Sequence, residues 1–304
     1  MAGALAGLVG DTAAFVELLA QRRPEVFGPA GWPAGIPGPA DLDEVLRSGL
    51  LRVPYVEMVR AGEVVPADEF CTTRTVAGRR EQGFADPGRI GELLAEGATL
   101  LLPQLDQWHP SVRALAAEIA LTLGRRTEAF CFATGAGRRG LDVHRDDADV
   151  LVVQLAGEKE WTVHEAPADG RWHPGPAPSP GPVALAAVLR AGQVLYVPRG
   201  SAHAATGHAG LSVHLSFTVR EAGTGGMRGA IGQWLAGGGW GAALPQRPAT
   251  EKELLDTAAE LLRLGRARLA ALTPEELLRL ARGPLPAADG GDGSPTALLG
   301  EGPA

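Results

Sequence analysis

The residues whose types and spacing best suit metal chemistry are His144, Asp146 and His203. His144 and Asp146 lie two positions apart, so on a β-strand both side chains point to the same face. A histidine from a later strand would complete a facial triad of two imidazoles and one carboxylate. Such a ligand set leaves coordination positions open and suits non-haem Fe(II). The spacing therefore predicts an Fe(II) site on the strands of a small barrel.

His203 is the predicted third ligand because of the segment that leads to it. In residues 192–203 (GQVLYVPRGSAH), a glycine turn precedes an apolar strand, and a Pro-Arg-Gly bend then delivers the histidine. His214 is the main competitor, and we expect it to lie beside the metal site or in the core. The alternative for His144 and Asp146 is a hydrogen-bonded pair at a strand end, and for His203 a loop histidine.

Asp147 and Asp149 follow the HRD motif and form a DxD-like acidic run. Such a run also occurs in metal sites that bind sugar nucleotides, but no nucleotide-binding fold is indicated around it. We expect these two carboxylates to lie at a solvated strand entrance.

The elements that would position the triad are short β-runs between residues 128 and 220. Apolar runs lie at 149–155, 160–164, 193–197 and 212–219, separated by Gly and Pro turns without an intervening helix. This pattern predicts an antiparallel barrel or jelly roll. The tripeptide Ala156-Gly-Glu predicts a hairpin turn between the first two runs. Residues 165–182, rich in Pro and Gly, are predicted to form a loop at the mouth of the barrel.

These motifs together resemble the JmjC-type cupin oxygenases, in particular their ribosomal-oxygenase branch. The similarity lies in HRD (144–146), VLVVQLAGEKEW (150–161), GQVLYVPRGSAH (192–203) and SVHLSF (212–217), and extends over about residues 50–222. The resemblance implies a mainly β fold with helices, built on a double-stranded β-helix (the jelly roll of cupin and JmjC proteins). It also implies hydroxylation that depends on Fe(II), 2-oxoglutarate and O2.

The resemblance implies co-substrate residues as well. A basic residue at the position of Lys159 pairs with the distal carboxylate of 2-oxoglutarate in the family, and a hydroxyl at the position of Thr218 assists it. Lys159 is one of only two lysines in the chain; the alternative is a solvated hairpin residue beside Glu158 and Glu160. His214 shares a strand face with Thr218 and is included among the co-substrate residues. Phe130 stands where the family has Asn, a departure that affects the details of this pocket.

Helical patterns flank the β region. Helices are predicted over 12–21, 41–47 and 110–123, and capping boxes at Thr250 and Thr273 open two more. An extended segment interrupted by Pro, at a sheet edge, is predicted over 51–59. We predict an oxygenase domain over 1–222 with its core at 128–222. A helical C-terminal segment would cover 223–282, which the resemblance associates with homodimerisation, and a disordered tail 283–304.

Composition limits the classes of function. The 304 residues carry a formal net charge of −7, which argues against general binding to a nucleic acid backbone, and two cysteines cannot supply a disulfide framework. No apolar run reaches the length of a membrane span, so we expect a cytoplasmic protein. The resemblance implies that the substrate is a side chain in a polypeptide, basic or ribosomal in character. A small-molecule hydroxylase of the same chemistry and a non-catalytic metal-binding cupin stay open as alternatives.

Overall fold

The computed structural model describes residues 3–28, 32–60, 62–138, 140–238, 240 and 244–286. The chain divides into two compact units, one comprising residues up to Arg220 and one running from Glu221 to Pro284. The predicted tail falls mainly on residues outside the described ones. Within the described residues, no helix combines the length and apolar character needed to cross a membrane.

The first unit contains seven helices and thirteen strands within its described residues. The helices are α1 (Ala4–Val9), α2 (Thr12–Gln21), α3 (Pro39–Arg47), α4 (Ala67–Phe70), α5 (Pro87–Glu96), α6 (Leu105–Trp108) and α7 (Pro110–Leu123). The strands are β1 (Glu25–Phe27), β2 (Glu57–Arg60), β3 (Glu63–Val64), β4 (Cys71–Val76), β5 (Arg79–Ala85), β6 (Thr99–Leu102), β7 (Thr127–Thr134), β8 (His144–Arg145), β9 (Ala148–His164), β10 (Gly175–Pro176), β11 (Val183–Arg190), β12 (Val194–Val197) and β13 (His203–Arg220).

Eleven of these strands form one antiparallel sheet in the order β1-β12-β9-β13-β7-β6-β2-β3, with β11 paired to β9 and the short pair β8–β10 attached to β13. The long strands β9 and β13 pair with each other along most of their length. Each of them bends midway, and the bent sheet folds over on itself as a jelly roll. The predicted fold class, a mainly β double-stranded β-helix with helices, is confirmed.

The predicted hairpin at Ala156-Gly-Glu is wrong, because β9 continues without reversal through this tripeptide. Gly157 adopts a φ of 65°, and the pairing of β9 with β13 shifts register beside it, between Gly207 and His214. A glycine with positive φ suits a bulge as well as a turn. Since β13 is the partner on both sides of the bulge, the strand bends and does not fold back.

Helices α6 and α7 pack against strand β7 of this sheet, and α5 packs against β6. α7 begins at Pro110, whose missing N–H costs nothing at a helix start, and ends at Gly124 in the left-handed conformation. Its buried face, including Leu115 and Ile119, joins a core that contains Phe15, Phe217 and other apolar side chains. The predicted helices over 12–21, 41–47 and 110–123 are confirmed.

Other local predictions have mixed outcomes. Of the segment 51–59, only residues 57–59 lie in a strand, and β2 is no sheet edge because it pairs with both β6 and β3. The β4–β5 hairpin and strand β11 had no counterpart among the predicted strands.

The second unit contains three helices in its described residues: α8 (Thr224–Ala236), α9 (Glu251–Ala270) and α10 (Pro274–Arg282). Thr250 and Glu253 form the predicted capping box of α9. The Thr273 side chain accepts a hydrogen bond from the Glu276 backbone N–H and caps α10.

Candidate metal and co-substrate site

A cavity of about 240 Å³ lies between the two layers of the jelly roll. Its walls combine one cluster of metal-ligand side chains, a buried lysine and an apolar and aromatic lining. The lining includes His144, Asp146, Lys159, Trp161, His203, His214, Ser216 and Thr218. Every residue that the sequence assigned to the site therefore faces one cavity.

His144, Asp146 and His203 lie together at this cavity. One ligand atom from each residue falls within 4.8 Å of the other two. The Nε2 atom of His144 lies 3.8 Å from Asp146 Oδ1, and Nε2 of His203 lies 3.5 Å from Asp146 Oδ2. His144 on β8 is the direct ladder partner of His203 on β13. The arrangement matches a two-histidine, one-carboxylate facial triad.

Backbone carbonyls fix the tautomers of both histidines. The Nδ1 of His144 lies 2.7 Å from the Asp142 carbonyl oxygen, and Nδ1 of His203 lies 3.0 Å from that of Ser201. A carbonyl can only accept, so each Nδ1 carries the hydrogen and each Nε2 presents a lone pair toward Asp146. Burial, and then the neighbouring His144, lowers the pKa of His203, which keeps it neutral. The donor set therefore fits a divalent metal ion.

Lys159 lies at another part of the cavity wall and is 2% exposed. Its Nζ donates to Thr134 Oγ1 at 3.1 Å, and Thr134 Oγ1 is in turn 3.1 Å from Thr99 Oγ1. Burial lowers the pKa of Lys159 to about 7. In the described part of the chain, no carboxylate forms an ion pair with it. A buried amine without an anionic partner fits a carboxylate-bearing ligand.

His214 packs beside Lys159. Its Nδ1 lies 3.5 Å from Lys159 Nζ, and its ring stacks on Phe132 with centroids 4.9 Å apart. Burial, and then the Lys159 charge, holds the pKa of His214 well below its usual range. His214 is not among the three residues that cluster as metal ligands. The structure thus groups it with the lysine and not with the triad.

One face of β13 lines the cavity beyond His214. Ser216, Thr218 and Arg220 follow at alternate positions, as the strand period requires. Opposite them on β7, Phe130 is the ladder partner of Ser216 and also lines the cavity. The cavity wall is therefore apolar at Phe130, where the JmjC-type oxygenases have Asn.

Some site residues were not identified from the sequence, or only in part. Trp161 belongs to a buried apolar cluster and also faces the cavity, its ring centroid 6.1 Å from that of His203. Its Nε1 is buried and has no hydrogen-bond partner among the described residues. Thr99 and Thr134 were missed, because lone threonines in β-runs give no signal of their own. Only pairing between β6 and β7 joins them.

The loop over 165–182 lies against the segments that carry His144 and His203. Its β10 pairs with β8 and places Pro176 opposite His144. Trp172 packs on the bend before His203: a Cβ added at Gly200 would lie 2.4 Å from the indole ring. The predicted loop therefore borders the triad on two sides.

The expectation that Asp149 lies at a solvated strand entrance is wrong. Asp149 is 8% exposed, and its carboxylate accepts hydrogen bonds from the Tyr196 hydroxyl at 2.8 Å and from Arg125 at 2.9 Å. An ionised carboxylate tolerates burial when it is paired and hydrogen-bonded in this way. Asp147, in contrast, keeps a side chain that is 45% exposed and contacts Arg199.

Jelly-roll topology together with a triad of metal-ligand side chains is typical of the cupin fold. The family model described as the JmjC domain matches residues 95–225. The chain is similar to ribosomal oxygenase 1 of Rattus norvegicus, with 29% identity over 179 residues, 55% of this chain and 30% of that protein. It is also similar to the bifunctional lysine-specific demethylase and histidyl-hydroxylase NO66 of Dictyostelium discoideum, with 25% identity over 185 residues, 59% of this chain and 34% of that protein. The chain spans about a third of the length of these curated relatives. The predicted resemblance to the ribosomal-oxygenase branch is confirmed.

Solved structures show the same fold. The structure of ycfD from Escherichia coli superposes with a TM-score of 0.53 at 18% identity, covering 89% of this chain and 70% of that one. A second structure, of the E. coli ribosomal oxygenase YcfD in complex with cobalt and 2-oxoglutarate, also gives a TM-score of 0.53 at 18% identity, covering 87% of this chain and 68% of that one.

Proposed function

We propose that the chain is an Fe(II)- and 2-oxoglutarate-dependent oxygenase that hydroxylates a side chain in a polypeptide. The observation that carries this proposal is the pairing, on one cavity, of a facial triad with a buried lysine that has no carboxylate partner in the described structure. The triad leaves coordination positions open for a chelating co-substrate. The lysine supplies a cation where the far end of a dicarboxylate could be bound.

The metal would be held by His144, Asp146 and His203. Iron(II) in such a site supplies, with O2 and 2-oxoglutarate, oxidative decarboxylation to succinate and CO2 coupled to hydroxylation of a C–H bond. The Asp142 and Ser201 carbonyls bind both Nδ1 atoms, which leaves Nε2 of each imidazole as the atom that would bind the metal. Orientation by such hydrogen bonds raises ligand basicity and fixes the ring positions.

The co-substrate would be bound by Lys159, His214 and Thr218. The Lys159 amine, held by Thr134, would form a charge-assisted hydrogen bond with the distal carboxylate. His214 accepts from Lys159 at Nδ1, so its Nε2 carries the ring proton and can donate. Thr218 lines the same face of β13. The unpartnered Trp161 Nε1 offers a further donor to a bound ligand.

The apolar wall would exclude water from these polar groups. Phe130, Phe132, Val150 and Val152 line the cavity between the charged residues. A low-dielectric lining strengthens the contact between an amine and a carboxylate. It also keeps the site shielded until a substrate binds.

The relatives support the proposed chemistry and the class of substrate. One relative carries the name ribosomal oxygenase and another the name histidyl-hydroxylase, and the E. coli YcfD structure holds cobalt and 2-oxoglutarate. We extend these properties to this chain as a proposal, including O2 as the oxidant and a ribosomal or other basic polypeptide as the substrate. The net charge of −7 would favour encounter with such a polypeptide.

The test is a turnover screen with the full chain, Fe(II), ascorbate, O2 and 2-oxoglutarate. Substrates are basic peptides in one arm and free amino acids in the other, with Asp146→Ala as the inactive control. A product 16 Da heavier in the peptide arm, together with succinate, supports the proposal. Turnover of a free amino acid alone would indicate the small-molecule hydroxylase. Metal binding with no succinate in any arm would indicate a non-catalytic cupin.

We also propose that the chain is a cytoplasmic homodimer that does not bind nucleic acid directly. None of the residues of α9 is buried, although Leu254, Leu255 and Leu262 form an apolar stripe on it. A helix with such a stripe is stabilised by burying it against a partner. A second copy of the chain is the proposed occupant of this stripe.

A further inference from the structure

We infer that Asp149 is a positioning residue for the metal site, because it ties the bend before His203 to the start of β9, shortly after Asp146. The carboxylate of Asp149 accepts a hydrogen bond from the Arg199 backbone N–H at 3.0 Å. Arg199 lies in the bend between β12 and β13. This contact joins the segment that follows His144 and Asp146 to the bend that leads to His203.

The carboxylate is itself held on two further sides. Its Oδ1 accepts from the Tyr196 hydroxyl at 2.8 Å, and Oδ2 accepts from Arg125 at 2.9 Å. Tyr196 is completely buried, and its ring packs edge-on against Phe15 at 5.2 Å. Asp149 therefore stands at a defined point, from which the hydrogen bond to Arg199 can fix the bend.

The bend transmits this position to His203 over a short path. The Gly200 N–H donates to the Asp146 carbonyl oxygen at 3.1 Å, next to the Arg199 contact. Ser201, the following residue, supplies the carbonyl that accepts from His203 Nδ1 at 3.0 Å. A shift of the bend would therefore turn the His203 imidazole away from Asp146.

Asp147 provides a matched control, because it contacts the same arginine in a different way. Its Oδ1 accepts from the Arg199 side-chain Nε at 2.7 Å, whereas Asp149 accepts from the Arg199 backbone. Loss of the Asp147 charge leaves the backbone of the bend held by Asp149 and Asp146. Only the Asp149 contact should thus affect the metal site.

This inference rests on the proposed function only in requiring that the triad binds a metal ion. The experiment is a Co(II) titration of the metal-free full chain, followed by visible absorption. We expect Asp149→Ala, which removes the acceptor of the Arg199 N–H, to weaken Co(II) binding about 10- to 100-fold, the range usual for residues that orient metal ligands. Asp147→Ala should change it less than about 2-fold. Far-UV circular dichroism checks folding, and Asp149→Glu, which moves the acceptor by one methylene, serves as a second variant if Asp149→Ala does not fold.

The spectrum of bound Co(II) separates positioning from general destabilisation. If Asp149 acts through His203, the visible absorption of Co(II)-saturated Asp149→Ala should differ from that of the wild type, because the imidazole no longer holds its place, whereas Asp147→Ala should give the wild-type spectrum. A wild-type spectrum at saturation, or an unchanged affinity, in folded Asp149→Ala would overturn the inference, as would a wild type that binds no Co(II). Normal Co(II) binding with no 2-oxoglutarate turnover would instead overturn the proposed function alone.

Discussion

His144 and His203 face each other as partners across the short ladder between β8 and β13, with ring centroids 4.4 Å apart. This pairing explains how residues distant in the sequence form one cluster of candidate metal ligands. Each imidazole is anchored by a carbonyl of its own segment, that of Asp142 or of Ser201. The backbone ladder sets the separation of the rings, and the two carbonyls set their orientation.

Replacement of any triad residue by alanine should abolish metal binding. Asp146→Ala removes the carboxylate that both Nε2 atoms face, and His144→Ala or His203→Ala removes one imidazole. His214→Ala should retain the metal, because His214 lies with Lys159. His208→Ala, at a half-exposed side chain, serves as the surface control. Metal content after dialysis measures the outcome. Loss of metal in His214→Ala but not in His203→Ala would show that the ligand assignment is wrong.

Lys159→Met should stabilise the metal-free protein while it removes 2-oxoglutarate binding. Burial lowers the pKa of Lys159 from 10.5 to about 7, so the folded state resists protonation that the unfolded state accepts. Burial of this amine therefore lowers the free energy of unfolding. The loss is full below pH 7 and disappears as the pH rises from about 7 to the unfolded-state pKa of 10.5. We expect the variant to gain about 2–4 kcal/mol at pH 6 and much less at pH 10. Urea denaturation at both pH values measures this difference. A variant that is less stable at pH 6 would contradict the prediction.

The triad and Lys159 could be found from the sequence because their signals are local. The HxD spacing brings together His144 on β8 and Asp146 directly after this strand, and the glycine turn, strand and bend lead to His203. Lys159 stands out as one of two lysines in a chain that otherwise uses arginine.

Contacts between distant segments could not be found in this way. Asp149 is buried because Arg125 and Tyr196 reach it from other elements, whereas the acidic residues shortly before it, Asp146 and Asp147, favour an exposed strand end. The same limit applies at Gly157. Its tripeptide suits a turn or a bulge, and only the register of β13 decides between them.

Gly157→Ala should destabilise the protein and weaken 2-oxoglutarate binding. An added Cβ would lie 2.3 Å from the Leu211 carbonyl oxygen, at a φ of 65°. Backbone strain of this kind costs about 1–3 kcal/mol, and the clash adds to it by moving β9 two residues before Lys159. The matched control is Gly170→Ala, which has a φ of 66° but no atom within 4 Å of the added Cβ. Urea denaturation of both variants isolates the clash. Equal losses of stability would attribute the effect to φ alone.

Polar substitutions on α9 should dissociate the proposed dimer. Leu255 and Leu262 are 64% and 61% exposed, and glutamine at both positions removes the apolar stripe while it preserves helix propensity. Light scattering after gel filtration should give the mass of a dimer for wild type and of a monomer for the double variant. Leu121→Gln, at an exposed leucine of α7, is the control and should remain dimeric. A monomeric wild type would refute the proposed dimer.

Binding of 2-oxoglutarate should take up a proton above pH 7. Lys159 has a pKa of about 7 without a ligand, and a bound carboxylate would raise it, so at pH 8 the amine gains a proton on binding. Its neighbours cannot account for this proton. Burial keeps the pKa of His214 well below its usual range, and burial raises the pKa of Cys131 to about 12.

Affinity should therefore fall by up to about tenfold per pH unit above pH 7, until the pKa of the bound form is reached. Calorimetry on the Mn(II)-loaded protein without oxygen measures the proton directly, because the binding enthalpy at pH 8 should differ between phosphate and Tris buffers. At pH 6 the two buffers should agree. Lys159→Arg is the matched control, since a guanidinium stays charged throughout this range and should show no dependence on the buffer. Equal enthalpies for the wild type in both buffers at pH 8 would show that Lys159 does not change its charge when 2-oxoglutarate binds.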